Sequence, residues 1–119
     1  MNLDDVDRWI AGYVRAWTSN DSGDIGALFT DDAQYRTEPY ADPWVGRDEI
    51  VRQWLESKDE PGTWAFRSEP LALAGDVAFV RGWADYTDGE PRRYHNLWVI
   101  RLADGGRASE FTEWFMKQR

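Results

Sequence analysis

The order of its segments predicts an α+β fold for this chain, with helices first and an antiparallel sheet after them. Up to about residue 57, apolar residues recur at spacings of three and four, which is the period of an α-helix. From Thr63 onward the pattern alternates at every second residue and is interrupted by glycine-containing turns, as expected of strands joined by hairpins. This order is typical of a sheet that carries its helices on one face.

Three helices are predicted in the first half of the chain. The first covers residues 3–18, where Leu3, Val6, Ile10, Tyr13 and Trp17 form one apolar stripe. Asn2 is suited to cap its start. A short helix that carries Ile25, Leu28 and Phe29 follows, and residues 33–38 are predicted to be extended. The third helix spans about 47–57 and has an apolar stripe of its own.

Four strands are predicted in the second half, at 64–73, 77–87, 92–102 and 107–117. The turns between them contain Gly75, Gly89 and the pair Gly105-Gly106, which suits tight hairpins. Because neighbouring side chains of a strand point to opposite faces, each strand should present one face to the helices and one to solvent.

Length, charge and residue usage exclude several classes of function. The 119 residues fit a single domain, 1–119, and the net charge of −8 disfavours nucleic acid and anionic membranes as partners. With no cysteine and one histidine, neither a thiolate nor a histidine-rich metal site is expected, and no cofactor is expected either. The N-terminus has no apolar segment of signal-peptide length, which predicts a cytoplasmic protein.

Five fragments of the chain, at 13–17, 24–33, 43–50, 96–101 and 111–114, resemble in order and spacing the SnoaL-like and ketosteroid-isomerase-like families. These families belong to the nuclear transport factor 2-like superfamily. The resemblance implies a cone, in which a curved antiparallel sheet wraps around three N-terminal helices and encloses an apolar cavity. It does not fix the activity, because such proteins include isomerases, cyclases, dehydratases and epoxide hydrolases as well as proteins with no known reaction.

Strand alternation and the resemblance together give a set of residues expected to face that cavity. On 92–102 the more apolar face, which is placed inward, contains Tyr94, Asn96 and Trp98, while His95 points outward. The family register implies that Phe79, Arg81, Trp83 and Asp85 also face inward. The predicted ligand-binding residues are Trp17, Tyr35, Tyr40, Trp44, Trp54, Trp83, Asp85, Asn96, Trp98, Phe111 and Phe115.

Three residues are the candidates for catalysis: Glu113, Arg81 and Tyr13. The resemblance implies that Tyr13 matches the oxyanion-donating tyrosine of ketosteroid isomerases, although Trp98 replaces their second donor. Their general base corresponds to Thr37 or to Glu38, depending on the alignment. Glu113 matches the last-strand acid of limonene-type epoxide hydrolases and of SnoaL-type cyclases. An inward Arg81–Glu113 pair would be either a structural ion pair or part of an active site.

The sequence therefore predicts an aromatic pocket for a small, apolar, cyclic ligand, with cofactor-free acid–base chemistry at Glu113 if a reaction occurs. The alternative is a non-catalytic association module whose cone is filled by its own side chains. Either protein is expected to form a homodimer through the convex face of the sheet. Leu97, Val99, Trp114 and Met116 would otherwise leave an apolar patch in water there.

Overall fold

Three helices and a six-stranded sheet make up the computed structural model, which describes all 119 residues. The helices are α1 (Leu3–Ser19), α2 (Ser22–Gly26) and α3 (Arg47–Glu56). The strands are β1 (Phe29–Arg36), β2 (Trp44–Val45), β3 (Trp64–Ala74), β4 (Val77–Tyr86), β5 (Arg92–Leu102) and β6 (Ala108–Lys117). The predicted α+β class and its element order are confirmed.

The sheet is curved, does not close on itself, and has the strand order β2-β1-β6-β5-β4-β3. Strands β3 to β6 form the predicted antiparallel meander. Strand β1 lies parallel to β6, so the sheet is mixed rather than wholly antiparallel. The two-residue strand β2 was not predicted. It pairs with β1 through Tyr35 and Trp44 and brings both aromatic residues to the same place.

Helix α1 packs one face against the sheet because its apolar residues recur with the helical period. Val6, Trp9, Ile10, Tyr13 and Ala16 are all buried on this face. Asn2 caps the helix in a capping box: its side chain accepts from the backbone N–H of Asp5, and the Asp5 carboxylate accepts from the backbone N–H of Asn2. The indole of Trp9 donates to the carbonyl of Leu28 over 2.9 Å, which ties α1 to the segment before β1.

The chain between α2 and β1 differs from its prediction. Phe29 had been assigned to the short helix, but α2 ends at Gly26 and Phe29 is the first residue of β1. Phe29 is completely buried against Trp9 and Tyr35, in edge-to-face contacts with centroid distances of 6.1 and 5.8 Å. A short apolar run of this kind fits the end of a helix or the start of a strand, so its pattern does not separate the two.

The inward face of β4 also differs from its prediction. Ala78, Val80, Gly82 and Ala84 are buried on the core side, while Phe79, Arg81, Trp83 and Asp85 lie on the opposite face. At Gly82 this inner face carries no side chain, and the ring of Phe66 lies directly over it. A Cβ atom on Gly82 would be 2.5 Å from Cζ of that ring.

Candidate functional site

A cavity of about 360 Å³ lies between the inner face of the sheet and helices α1 and α3. Ten of its eighteen lining residues are aromatic, so its walls are mostly π surfaces. These ten are Tyr13, Trp17, Tyr35, Trp44, Trp54, Phe66, Tyr86, Tyr94, Trp98 and Phe115.

The aromatic walls are held in place by contacts with one another. Tyr13 lies at the centre, with ring centroids 4.5 Å from Trp98 and 4.9 Å from Trp54. Phe66 stacks on Trp98 at 4.9 Å, and Tyr35 stacks on Trp44 at 4.8 Å. Since these residues come from two helices and four strands, the pocket is fixed by the tertiary structure. Aromatic pairs of this kind contribute about 0.5–1.5 kcal/mol each beyond the area they bury.

Glu113 is the only residue of β6 whose carboxylate lines the pocket. Its Oε2 atom accepts two hydrogen bonds of 2.8 Å, one from the indole Nε1 of Trp98 and one from Nδ2 of Asn96. Both donors are neutral, and no Lys, Arg or His side chain forms a salt bridge with Glu113. The second carboxylate oxygen, Oε1, has no protein partner and remains available to a ligand.

Burial raises the pKa of the Glu113 carboxyl above its ordinary value, because the charged form loses hydration inside the aromatic pocket. The hydrogen bonds from Trp98 and Asn96 act in the opposite direction, and the negative charge of Glu38 adds to the increase in pKa. The net direction is upward, since neutral donors stabilise a carboxylate less than a cation would. Glu113 therefore exchanges its proton nearer to neutral pH than an exposed glutamate does.

Two tyrosine hydroxyls meet at the same cavity. The hydroxyl oxygens of Tyr13 and Tyr35 are 2.8 Å apart, and both side chains line the pocket. Desolvation is the main cause that raises the pKa of each phenol, so both stay protonated throughout the physiological range. One hydroxyl proton is used in the bond between them. The other is available to an oxygen of a ligand.

A second carboxylate, that of Asp59, lines the pocket from the loop after α3. Its Oδ2 atom accepts from the indole Nε1 of Trp17 over 3.0 Å and from the hydroxyl of Tyr86 over 3.2 Å. The amide of Asn20 donates to the Asp59 backbone carbonyl, which fastens the loop to the end of α1. Trp17 is further fixed by stacking on Trp64, with 3.7 Å between ring centroids.

Most of the predicted site residues are brought together by the fold. The cavity is lined by Tyr13, Trp17, Tyr35, Trp44, Trp54, Asn96, Trp98, Glu113 and Phe115. Of the two alternatives for the base position, Thr37 lines the cavity and Glu38 does not, although the Thr37 hydroxyl donates to Glu38 over 3.0 Å. The parts these residues play in binding or catalysis remain predictions.

Three predicted site residues of β4 lie outside the pocket, and their inward assignment was wrong. Arg81 forms an exposed ion pair with Glu69 on the convex face. Asp85 pairs there with Arg93, with 2.6 Å between the guanidinium and the carboxylate. The ring of Trp83 lies beneath the guanidinium of Arg67 at 4.2 Å. The expected contact between Arg81 and Glu113 therefore does not exist.

Two further residues of the predicted set do not line the cavity. Tyr40 is 86% exposed on the loop between β1 and β2. Phe111 faces inward as predicted, but it is completely buried in the core behind the cavity wall. There it stacks on Tyr35 and Tyr13 at centroid distances of 4.6 and 5.5 Å.

Several lining residues were absent from the predicted set. Phe66 and Tyr86 were missed because the faces of β3 were not assigned and those of β4 were assigned incorrectly. Tyr94 had been placed inward but not assigned to the site. Asp59 lies in a loop without periodicity, and its contact with Trp17 spans 42 residues, so no local pattern indicates it. The single histidine, His95, is exposed and bonds to Gln118, in agreement with its predicted outward position.

No three acidic or histidine side chains lie close enough together to hold a metal ion. None of the helices is long and apolar enough to cross a membrane.

A helix layer enclosed by a curved sheet, with an aromatic pocket between them, defines an α+β cone protein. Residues 10–111 match the model of the SnoaL-like domain family. The chain belongs to this family.

Solved structures with the same fold come from several bacteria. A ketosteroid isomerase-like protein from Erwinia carotovora atroseptica is 20% identical over 98% of this chain and 97% of its own, with a TM-score of 0.70. An NTF-2 like protein of unknown function from Burkholderia xenovorans is 14% identical over 100% and 88% of the two chains, with a TM-score of 0.77. An LEH-like epoxide hydrolase from M. tuberculosis is 15% identical over 95% and 84%, with a TM-score of 0.70. No curated protein matches the sequence.

Proposed function

We propose that the pocket binds a small, largely apolar ring compound and that Glu113 acts on it as an acid–base residue without a cofactor. The observation that carries this proposal is the state of the Glu113 carboxylate. It lies among aromatic rings, receives two neutral hydrogen bonds on Oε2, and has Oε1 free. A carboxyl group held only for stability would be expected to have a cationic partner or all its lone pairs occupied.

The chemistry follows from the positions of the proton donors and acceptors. The raised pKa lets Glu113 accept and return a proton closer to neutral pH than an exposed glutamate does. The free hydroxyl proton of the Tyr13–Tyr35 pair is suited to stabilise negative charge that develops on a ligand oxygen. Isomerisation, cyclisation and hydrolysis of an apolar ring compound can each use such a pair of groups.

The names of two similar structures favour chemistry on a small organic molecule. One is described as ketosteroid isomerase-like and the other as an LEH-like epoxide hydrolase. At identities of 20% and 15% these likenesses support the fold and assign no residue of this chain. The roles proposed for Glu113 and Tyr13 therefore depend on the geometry of the pocket itself.

The experiment separates binding from turnover. A panel of cyclic enones, epoxides and phenols is screened by the shift in melting temperature and in Trp fluorescence, to which Trp17 and Trp98 contribute as lining residues. Each ligand that binds is then incubated with the protein in D₂O, and mass spectrometry measures product formation and deuterium incorporation. Wild-type protein should convert or label at least one ligand, and Glu113→Gln should bind it without labelling it.

The matched control is Glu110→Gln, on the same strand but paired with Arg101 in solvent. It should retain both binding and labelling. Binding without any conversion or labelling in wild-type protein would leave a ligand-binding protein and contradict the catalytic role of Glu113. If no ring compound binds, the competing proposal of a module used only for association would stand.

A second proposal concerns the convex face of the sheet. Leu97, Trp114 and Met116 are 36%, 41% and 74% exposed and lie side by side on β5 and β6, because Leu97 pairs with Trp114 across the ladder. Contiguous apolar surface of this kind is costly in water. We propose that two copies of the chain associate through this patch, with the pocket of each copy on the other side of its sheet.

A further inference from the structure

Two carboxylates that line the pocket have no cationic partner. Glu113 and Asp59 each accept two hydrogen bonds on one carboxylate oxygen, in both cases from neutral donors, and each leaves its other oxygen free. Neither carboxylate forms a salt bridge. The protein thus supplies no cation to either of them, although both line a pocket walled by aromatic rings.

The two cations that line the pocket do not compensate for this. The guanidinium of Arg92 is 3.1 Å from the carboxylate of Asp88, donates to two backbone carbonyls, and lies over the ring of Tyr86. Its charge is therefore largely offset by Asp88. Lys58 is exposed and forms no ion pair. An exposed lysine has little influence on a charge inside the pocket, because water screens it.

Neutral donors hold Asp59 at the aromatic wall of the pocket. Trp17 and Tyr86 both donate to this carboxylate through polar groups at the edges of their rings, so its charge is oriented but not neutralised. One face of Trp17 is stacked on Trp64 and one face of Tyr86 lies against the guanidinium of Arg92, so the carboxylate, rather than these two rings, is the group that attracts an organic cation. The net charge of −8 would also draw a cation toward the protein.

From this geometry we infer that the ligand carries a positively charged nitrogen, such as an alkylammonium group, and that Asp59, held in place by Trp17 and Tyr86, binds it. This inference rests on the proposed function of the pocket and adds the chemical class of its ligand. The two carboxylates then have different roles. Asp59 determines specificity for the cation, and Glu113 exchanges a proton with the rest of the ligand.

Three phenols of similar size test the inference by calorimetric titration. They are 3-(trimethylammonio)phenol, its neutral isostere 3-tert-butylphenol, and the anion 3-hydroxybenzenesulfonate. Wild-type protein should bind the cation about tenfold more tightly than the neutral isostere, and the anion most weakly. The N-methyl proton resonance of the bound cation should also move upfield, because ten of the residues that line the pocket are aromatic. This NMR measurement needs no variant.

Asp59→Asn removes the charge but keeps an oxygen that accepts from Trp17 and Tyr86, so the fold of the loop should be preserved. It should abolish most of the tenfold preference for the cation. The control is Glu60→Gln, which removes a charge from the next residue, outside the pocket lining, and should leave the preference unchanged.

Each contrary outcome has a distinct meaning. If the neutral phenol binds as tightly as the cation, or the anion binds most tightly, the inference is overturned while the pocket's binding function stands. The same holds if Asp59→Asn keeps the full preference. If none of the three phenols binds, and the wider panel of ring compounds fails as well, both the inference and the proposed function are overturned.

Discussion

The indole of Trp98 donates a 2.8 Å hydrogen bond to Oε2 of Glu113, and the two residues face each other across the β5–β6 ladder. Trp98 is almost completely buried, so it holds the carboxylate against the aromatic wall. Its N–H group is neutral, and it therefore orients the carboxylate without supplying a positive charge. The pocket thus contains a fixed acid whose ionised form is disfavoured by its surroundings.

This relationship predicts how stability depends on pH. Because the folded-state pKa of Glu113 is raised, its contribution to stability is full below the unfolded-state pKa and is lost as the pH rises through the folded-state pKa. Each unit of difference between the two pKa values costs about 1.4 kcal/mol above that range. The pKa values of Tyr13, Tyr35 and Tyr86 are all raised, so these neighbours stay neutral over this pH range, and the charge of Glu38 adds to the increase in the pKa of Glu113.

Glu113→Gln cannot ionise, yet its amide oxygen can still accept from Trp98 and Asn96. Urea unfolding at several values from about pH 4 to about pH 8 should therefore show the variant gaining stability relative to wild type as the pH rises. Glu110→Gln, at an exposed ion pair, should show no such gain. A wild-type advantage that grows with pH would mean that Glu113 has a cationic partner in solution.

Arg81 and Glu113 should behave as independent residues, since they lie on opposite faces of the sheet. Arg81 is 54% exposed and pairs with Glu69, so Arg81→Ala should cost only about 0–1 kcal/mol. In a double-mutant cycle, Arg81→Ala and Glu113→Gln should add to within about 0.5 kcal/mol. The cycle of Arg81 with Glu69 is the positive control. A coupling above about 1 kcal/mol between Arg81 and Glu113 would contradict the observed faces of β4.

Strand β4 shows which part of the structure the sequence could predict and which it could not. Its bounds followed from alternation and from the turns around it, as did those of α1, β3, β5 and β6. The inward face predicted for β4 depends on the register that the family resemblance implies. The residues themselves indicated the other face, because Ala78, Val80 and Ala84 carry no charge, whereas Arg81 and Asp85 would have been buried.

The candidate site was predictable where it lies on regular elements. Tyr13 and Trp17 follow from the α1 stripe, and Asn96, Trp98 and Glu113 follow from alternation on β5 and β6. Loop residues were not predictable in this way. Tyr40 and Asp59 both lie between elements, and only tertiary contacts decide that Asp59 reaches the pocket while Tyr40 points into solvent.

Glycine is required at position 82 because the ring of Phe66 approaches it closely, and not because of its backbone conformation. A Cβ atom there would be 2.5 Å from Cζ and 2.7 Å from Cε1 of Phe66, whose ring is stacked on Trp98. Gly82→Ala should therefore displace Phe66 and cost about 1–3 kcal/mol in urea unfolding. Adding Phe66→Leu should make the alanine less costly than it is alone, because the smaller side chain leaves room for it. Simple additivity of the two changes would contradict this packing.

The apolar patch of Leu97, Trp114 and Met116 predicts a dimer, and sedimentation measures the oligomeric state. Wild-type protein should sediment as a dimer at micromolar concentration, since a stable interface needs about 800 Å² from each partner and this face provides exposed apolar surface. Trp114→Lys combined with Met116→Lys should give a folded monomer that still binds pocket ligands, because both side chains point away from the cavity. Leu3→Lys, at an exposed apolar residue of α1, is the control and should remain dimeric. A wild-type monomer at high micromolar concentration would leave the patch without the proposed partner.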